Sequence, residues 1–303
     1  MRVHHLNCGP LRPLGGRLID GEPGLFRRAE LVCHCLLLET DAGLVLVETG
    51  FGTPASHRPE EWLGRKFVRR TNPITDIEHS AVRQIARLGF DPADVRHIVL
   101  THLDLDHAGG LVDFPQATVH VYAEELRAAQ QPRTPQERNR YRAVHFAHGP
   151  KWAPHAGLGE PWWGFDAVRE LDGLPPEILL VPLAGHTRGH AGVAVDTGRG
   201  WLLHAGDAYF HPGELDPVRP HCPPALAMFE STAQTEKRAR LHNRQRLREL
   251  AREHGQRGQH GERGGHDSHR DRSRDQVRIF SAHSAAEYRR QNAALSPLPK
   301  TTN

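Results

Sequence analysis

Four side chains able to hold a metal fall within six residues: His102, Asp104, Asp106 and His107. They follow the apolar run 97–102, HIVLTH, and precede Gly109-Gly110. Neutral imidazole and carboxylate are the groups that hold Zn²⁺, Fe or Mn at roughly 2.0–2.2 Å. A loop leaving a strand can aim several of them at one point. Three further segments repeat the arrangement of apolar run, small residue and ligand: Leu183-Ala184-Gly185-His186, Leu203-His204-Ala205-Gly206-Asp207 and Phe280-Ser281-Ala282-His283. One histidine at a strand end is ordinarily a polar surface group, but four such ends in one chain point to a metal centre. Other chemistries find no foothold, because the chain has no GxSxG, no GxxxxGK[ST] and no GxGxxG.

The elements that must position these groups are legible in outline. Residues 31–38, LVCHCLLL, and 44–49, LVLVET, read as a hairpin around Asp41-Ala42-Gly43. Cys33 and Cys35 then share a face and read as small buried apolar residues. Residues 76–89 carry Ile77, Ala81, Val82, Ile85, Ala86 and Leu88 at helical spacing, between a capping Asp76 and a terminating Gly89. Strands are expected at 97–102, 117–122, 178–183, 192–196, 200–205 and 276–281, with helices at 123–130, 236–253 and 284–292. Residues 131–175 have weak periodicity and read as an insertion. The stretch 255–274 has almost no apolar residue and reads as a disordered loop. Its histidines, with His254, lack the spacing and rigid support of a specific metal site.

Composition narrows the class. The chain has 303 residues, a net charge of +3 and 23 His, enough to raise the expectation of metal binding. No apolar run approaches the roughly 18–20 residues that span a bilayer. The N-terminus lacks a signal-like apolar segment and four Cys make no disulfide framework, so a cytoplasmic protein without membrane contact is expected. Residues 236–278 carry 13 basic and 7 acidic residues without interleaved aromatics, so no nucleic-acid partner is expected. The oligomeric state is left open.

Together, Thr101-His102-Leu103-Asp104-Leu105-Asp106-His107, Gly185-His186-Thr187-Arg188-Gly189-His190, Gly206-Asp207 and Ala282-His283 resemble the metallo-β-lactamase superfamily. Its members carry HxHxDH, GHTxGH, a bridging Asp and a last His. The resemblance covers about residues 31–290. It implies an α/β fold, the αββα sandwich, as one domain over 1–303, with two divalent metals at the open edge between the sheets. By position, the first metal takes His102, Asp104 and His186, and the second takes Asp106, His107 and His283. Asp207 bridges both, His190 is structural, and His204 comes no closer than the layer behind the ligands. The chain departs from the pattern at Asp104, where the family has His, and at Glu48, where LVETG replaces LVDTG. Zn is the expected metal, with Fe or Mn the alternatives that a carboxylate at 104 favours. A carboxylate there is similar to the flavodiiron branch, but the chain has no room for a flavodoxin-like domain.

The resemblance implies hydrolysis by a metal-bound hydroxide, whose pKa two metals lower to about 7. Asp106 would orient the nucleophile and pass its proton on. The length and GHTRGH are most similar to the N-acyl homoserine lactonase branch, hence a small lactone or ester substrate. Those enzymes often use a Tyr three residues after the bridging Asp. That position is Phe210 here, and the adjacent Tyr209 is the catalytic candidate. Trp152, Trp162, Trp163 and Phe165 either line an acyl pocket or pack the insertion. The alternatives are a phosphodiesterase or RNA-processing nuclease of the same fold, using 236–278 as its exosite, and a carboxylate-rich di-iron redox or sensor protein.

Overall fold

The computed structural model describes residues 1–41, 43–156, 159, 161–165, 169–255 and 276–295. Two sheets face each other. The first has the order β1 (Arg2–Asn7), β2 (His34–Thr40), β3 (Gly43–Val47), β4 (Val95–Val99), β5 (Thr118–Tyr122), β6 (Lys151–His155). Its β1–β2 and β2–β3 pairs are antiparallel, and β3 to β6 run parallel. The second has the order β11 (Val277–Phe280), β10 (Trp201–His204), β9 (Ala191–Asp196), β8 (Ile178–Pro182), β7 (Arg169–Glu170), with β10–β11 parallel and the rest antiparallel.

Alternation along the strands decides what each face buries. Leu36, Leu38, Val45, Val47 and Val99 meet Ile178, Leu180, Val193, Leu202 and Phe280 between the sheets. The neighbours Leu37, Leu46 and Ile98 point the other way, against Ala81 and Ile85 of the helix Ala81–Arg87. Leu179, Val181 and Leu203 pack on Leu247 and Leu250 of the helix Lys237–His254. The result is the expected αββα order of layers. Each fully buried Leu or Val contributes about 1.5–3 kcal/mol relative to exposure. Among the described residues, no helix is long and apolar enough to cross a membrane.

Three details differ from the sequence expectation. The chain begins with β1, which pairs along β2 although two of its residues are His. The helix read over 76–89 is a 3₁₀ turn Ile77–His79 capped by Asp76, then a helix capped by the Ser80 hydroxyl. Part of 131–175 is not peripheral: β6 extends the first sheet as its edge strand, where Pro154 is tolerated because one side of the strand needs no partner. The loop read as disordered over 255–274 lies, beyond Gly255, outside the described residues.

Candidate metal centre

The parallel step from β3 to β4 sets the first motif. β4 ends at Val99, the chain bends at Thr101 and runs without regular structure to Asp104, and the short helix Leu105–Ala108 begins there. His102 and Asp104 therefore precede the helix, and Asp106 and His107 lie on its only turn. The loop after β8 brings His186, the loop after β10 brings Asp207, and the end of β11 brings His283.

The seven candidate ligands converge as two sets that share Asp207. Oδ2 of Asp207 lies 3.3 Å from His186 Nε2 and 3.8 Å from His102 Nε2. Asp104 Oδ2 completes this set at 3.1 Å from His186 Nε2 and 3.4 Å from His102 Nε2. Oδ1 of Asp207 lies 3.2 Å from His283 Nε2 and 3.4 Å from His107 Nε2. Asp106 stands 3.6 Å from His283 Nε2 and 3.9 Å from His107 Nε2. Ligands bound tetrahedrally at 2.0–2.2 Å lie about 3.4 Å apart, so His102, His186 and Asp207, and His107, Asp207 and His283, have close to the spacing of a coordination shell, with Asp104 and Asp106 standing beside them. Four buried atoms here have no hydrogen-bond partner: His102 Nε2, Asp104 Oδ1, His107 Nε2 and Asp207 Oδ1. Buried polar atoms rarely go unpaired, so their alignment fits the binding of cations.

The outer nitrogens of three of the four candidate histidines are held, which fixes where their inner ones point. His107 Nδ1 bonds Glu48 Oε2 at 2.9 Å, and Glu48 Oε1 accepts the Thr101 N–H at 2.7 Å. His283 Nδ1 donates to the Val32 carbonyl at 2.7 Å, and His102 Nδ1 meets the Thr101 hydroxyl at 2.9 Å. His190 plays the structural part expected of it. Its Nδ1 donates to the Leu183 carbonyl and its Nε2 accepts the Asp207 N–H at 2.9 Å. His204 stands behind the ligands, where its Nδ1 accepts the Gly206 N–H. Gly206 has φ 53°, and a Cβ there would sit 2.5 Å from His190 Nε2.

Charge follows from this packing. Burial works against ionised Asp207, but His283, His107 and His186 outweigh it and hold the carboxyl well below its usual range. Burial also opposes charge on His107, yet Asp207, Glu48 and Asp106 raise it to about 9. Glu48 is lowered to about 2, with burial overcome chiefly by His107. His186 moves the other way, to about 4, through burial and the Arg140 cation.

The structure does not bring Tyr209 to this centre. Its ring is fully buried in the core and its hydroxyl donates to Glu287 Oε1 at 2.9 Å, a carboxylate that also accepts the Ser281 N–H. The catalytic expectation for Tyr209 is corrected on that ground. Phe210 is the aromatic at the centre, stacked on His283 at 5.3 Å and 5.8 Å from His186. Of the aromatics weighed as a pocket, Trp162 and Phe165 pack on the outer face of the second sheet and Trp152 on that of the first. They fill the core as packing residues.

Three residues at the centre are not read as part of it from sequence, where Cys33 is taken as a small buried apolar residue. Glu125 is buried and accepts the N–H groups of Leu103 and Gly189, tying the first motif to GHTRGH. Cys33 lies beside Asp106 and His283, with its thiol pushed up to about 12 by burial. Arg140 Nη1 donates to Asp104 Oδ2 at 2.8 Å and contacts His186 Nε2 at 3.0 Å. Only the position of Phe210, three residues after Asp207, carried a signal in the sequence.

Comparison with known proteins agrees with this geometry. A protein of Mycobacterium tuberculosis described as probable metallo-hydrolase Rv2300c is 48% identical over 217 residues, which are 71% of this chain and 65% of that protein. The chain thus spans somewhat less than two thirds of that relative's length. An N-acyl homoserine lactonase of Bacillus cereus is 34% identical over 56% of this chain and 60% of its own. The fold is that of a B. thuringiensis AiiA variant crystallised with N-decanoyl-L-homoserine at its active site, with TM-score 0.66 and 20% identity over 98% of this chain and 97% of that one. The profile of the metallo-beta-lactamase superfamily matches residues 28–244, and with two His/Asp donor sets meeting at the ends of its sheets the chain belongs to that superfamily.

Proposed function

We propose that the chain is a metal-dependent hydrolase that opens a lactone or another ester of a small molecule. The observation that carries this reading is Asp207, one carboxylate presenting an oxygen to each of two donor sets. His102, Asp104 and His186 would hold one ion, and Asp106, His107 and His283 the other. Two divalent ions there would supply an activated water and a Lewis acid for the substrate carbonyl. Zn suits the four imidazoles, and Fe or Mn are the alternatives that Asp104 favours.

The rest falls to the chain's own groups. Asp106 has one oxygen nearer His107 and the other nearer His283. One oxygen suffices as a ligand, and the other takes the nucleophile's proton and hands it to the leaving oxygen. The Phe210 ring, with Phe229 edge-on at 5.5 Å, gives this side an apolar wall suited to an acyl chain. The nucleic-acid alternative loses support from the helix Lys237–His254. Its Arg240 pairs with Glu230, Arg244 with Glu214, and Arg248 donates to the Glu214 carbonyl, so these cations are already engaged. A cytoplasmic location belongs to the same proposal.

The test is a panel of lactones, thioesters and phosphodiesters assayed with Zn, Mn and Fe. Metal-dependent opening of N-acyl lactones is the expected result. Turnover of phosphodiesters alone would overturn the reading.

A further inference from the structure

Asp104 adds a negative charge where the family places a neutral imidazole, so the donor sets contain three carboxylates, Asp104, Asp106 and Asp207. A fixed cation stands against the added one. The Arg140 side chain is only 9% exposed, its Nη1 bonds Asp104 Oδ2 at 2.8 Å, and its Nη2 donates to the Ala233 carbonyl. Arg140 ends the helix Pro135–Arg140, which is itself anchored. Glu137 of that helix binds Arg188 of the GHTRGH motif at 2.9 Å, and Gln136 donates to the carbonyls of Thr232, Ala233 and Gln234. The guanidinium is therefore positioned, not merely nearby. Its 3.0 Å contact with His186 Nε2 sets the same guanidinium beside a second atom of that donor set. The two oxygens of Asp104 are left unlike: Oδ2 is bonded, and Oδ1 is buried without a partner.

We infer that Asp104 and Arg140 act as one unit, in which the guanidinium cancels the charge that Asp104 brings and so lets the pair stand in for the family's neutral imidazole. The inference rests on the metal-hydrolase reading above. It makes Arg140 a positioning residue for the first metal, and it predicts that neither member can be changed alone without consequence. Asp104→His restores the family's ligand but leaves a bare cation beside His186. Arg140→Gln removes that cation but leaves three carboxylates facing one another.

The experiment measures Zn affinity by chelator competition, and melting temperature after chelator treatment, for four variants. Asp104→His is expected to lose about 10–100-fold in Zn affinity, the range for lost support of a metal ligand. Asp104→Asn, nearly isosteric, should lose affinity too and guards against misfolding of the His variant. Arg140→Gln should likewise bind Zn about 10–100-fold more weakly, because Asp104 loses its support, and melt lower than wild type once chelated. The double variant Asp104→His/Arg140→Gln should return towards wild-type affinity, the non-additivity expected of two residues in contact. A double variant as weak as Asp104→His would overturn the pairing while leaving the metal reading intact. A wild-type chain that binds no metal would overturn both.

Discussion

Glu48→Gln tests how the second donor set is held. Glu48 is 1% exposed and accepts from both Thr101 N–H and His107 Nδ1. Glutamine is almost the same shape, but only one end of its amide accepts. Either Thr101 or His107 must then face an NH₂ group. One buried donor without an acceptor costs about 1–3 kcal/mol. The pair with His107 is also lost, and removing one partner of a buried ion pair costs about 3–5 kcal/mol. The larger figure applies to the metal-free chain, where burial of His107 is outweighed by Asp207, Glu48 and Asp106, which raise it to about 9. At roughly 2–4 °C per kcal/mol for a chain above about 150 residues, the melting temperature should fall by on the order of 10 °C. With the His107 ring no longer oriented, Zn affinity should fall about 10–100-fold. Chelator competition and a thermal melt on one preparation read both quantities. Glu48→Asp is shorter by one carbon–carbon bond, about 1.5 Å, so it cannot reach both donors and should fall between. A Gln variant with wild-type affinity and melting temperature would show that Glu48 does not hold His107.

Two further outcomes follow from groups outside the ligand sets. Tyr209→Phe deletes a hydroxyl bonded to buried Glu287, so it should cost about 1–3 kcal/mol in denaturant unfolding while kcat stays unchanged; a large fall in kcat at normal stability would restore Tyr209 to catalysis. Glu230 is raised from 4.5 to about 8 by burial and by its neighbour Glu214, against Arg240 and Arg244. Between about pH 4.5 and 8 the unfolded chain gives up a proton that the folded chain keeps, so this group lowers stability as pH rises through that window. Glu230→Gln should flatten that decline in melts taken from pH 5 to 8, and an unchanged slope would contradict the assignment.

Convergent ligands were the most legible part of the chain, for a physical reason. A metal demands fixed residue types, and strand ends are short, rigid places to hold them, so His102, His186, Asp207 and His283 stand out against apolar runs. The strands buried on both faces were legible too, as continuous Leu and Val. Arg140 was not, because it lies 36 residues from Asp104 in a stretch of weak periodicity, and only the folded chain brings them together. Glu125 was hidden as one of two acidic residues in the first turn of the helix Ala123–Gln130. Tyr209 was misread because neighbouring residues of a loop point to different sides, so a shift of one position exchanged a core hydroxyl for the ring that stacks on His283. β6 escaped notice because an edge strand can contain Pro154 and exposed residues.

Two metal positions that share the Asp207 carboxylate would each depend on that one side chain. The most direct test is the metal content of the wild-type chain and of Asp207→Ala, measured by elemental analysis after purification without added metal. Two divalent ions per wild-type chain and well under one in the variant are expected, with hydrolysis lost alongside. A variant that keeps both ions tightly bound, or a wild-type chain that holds none, would contradict the shared site.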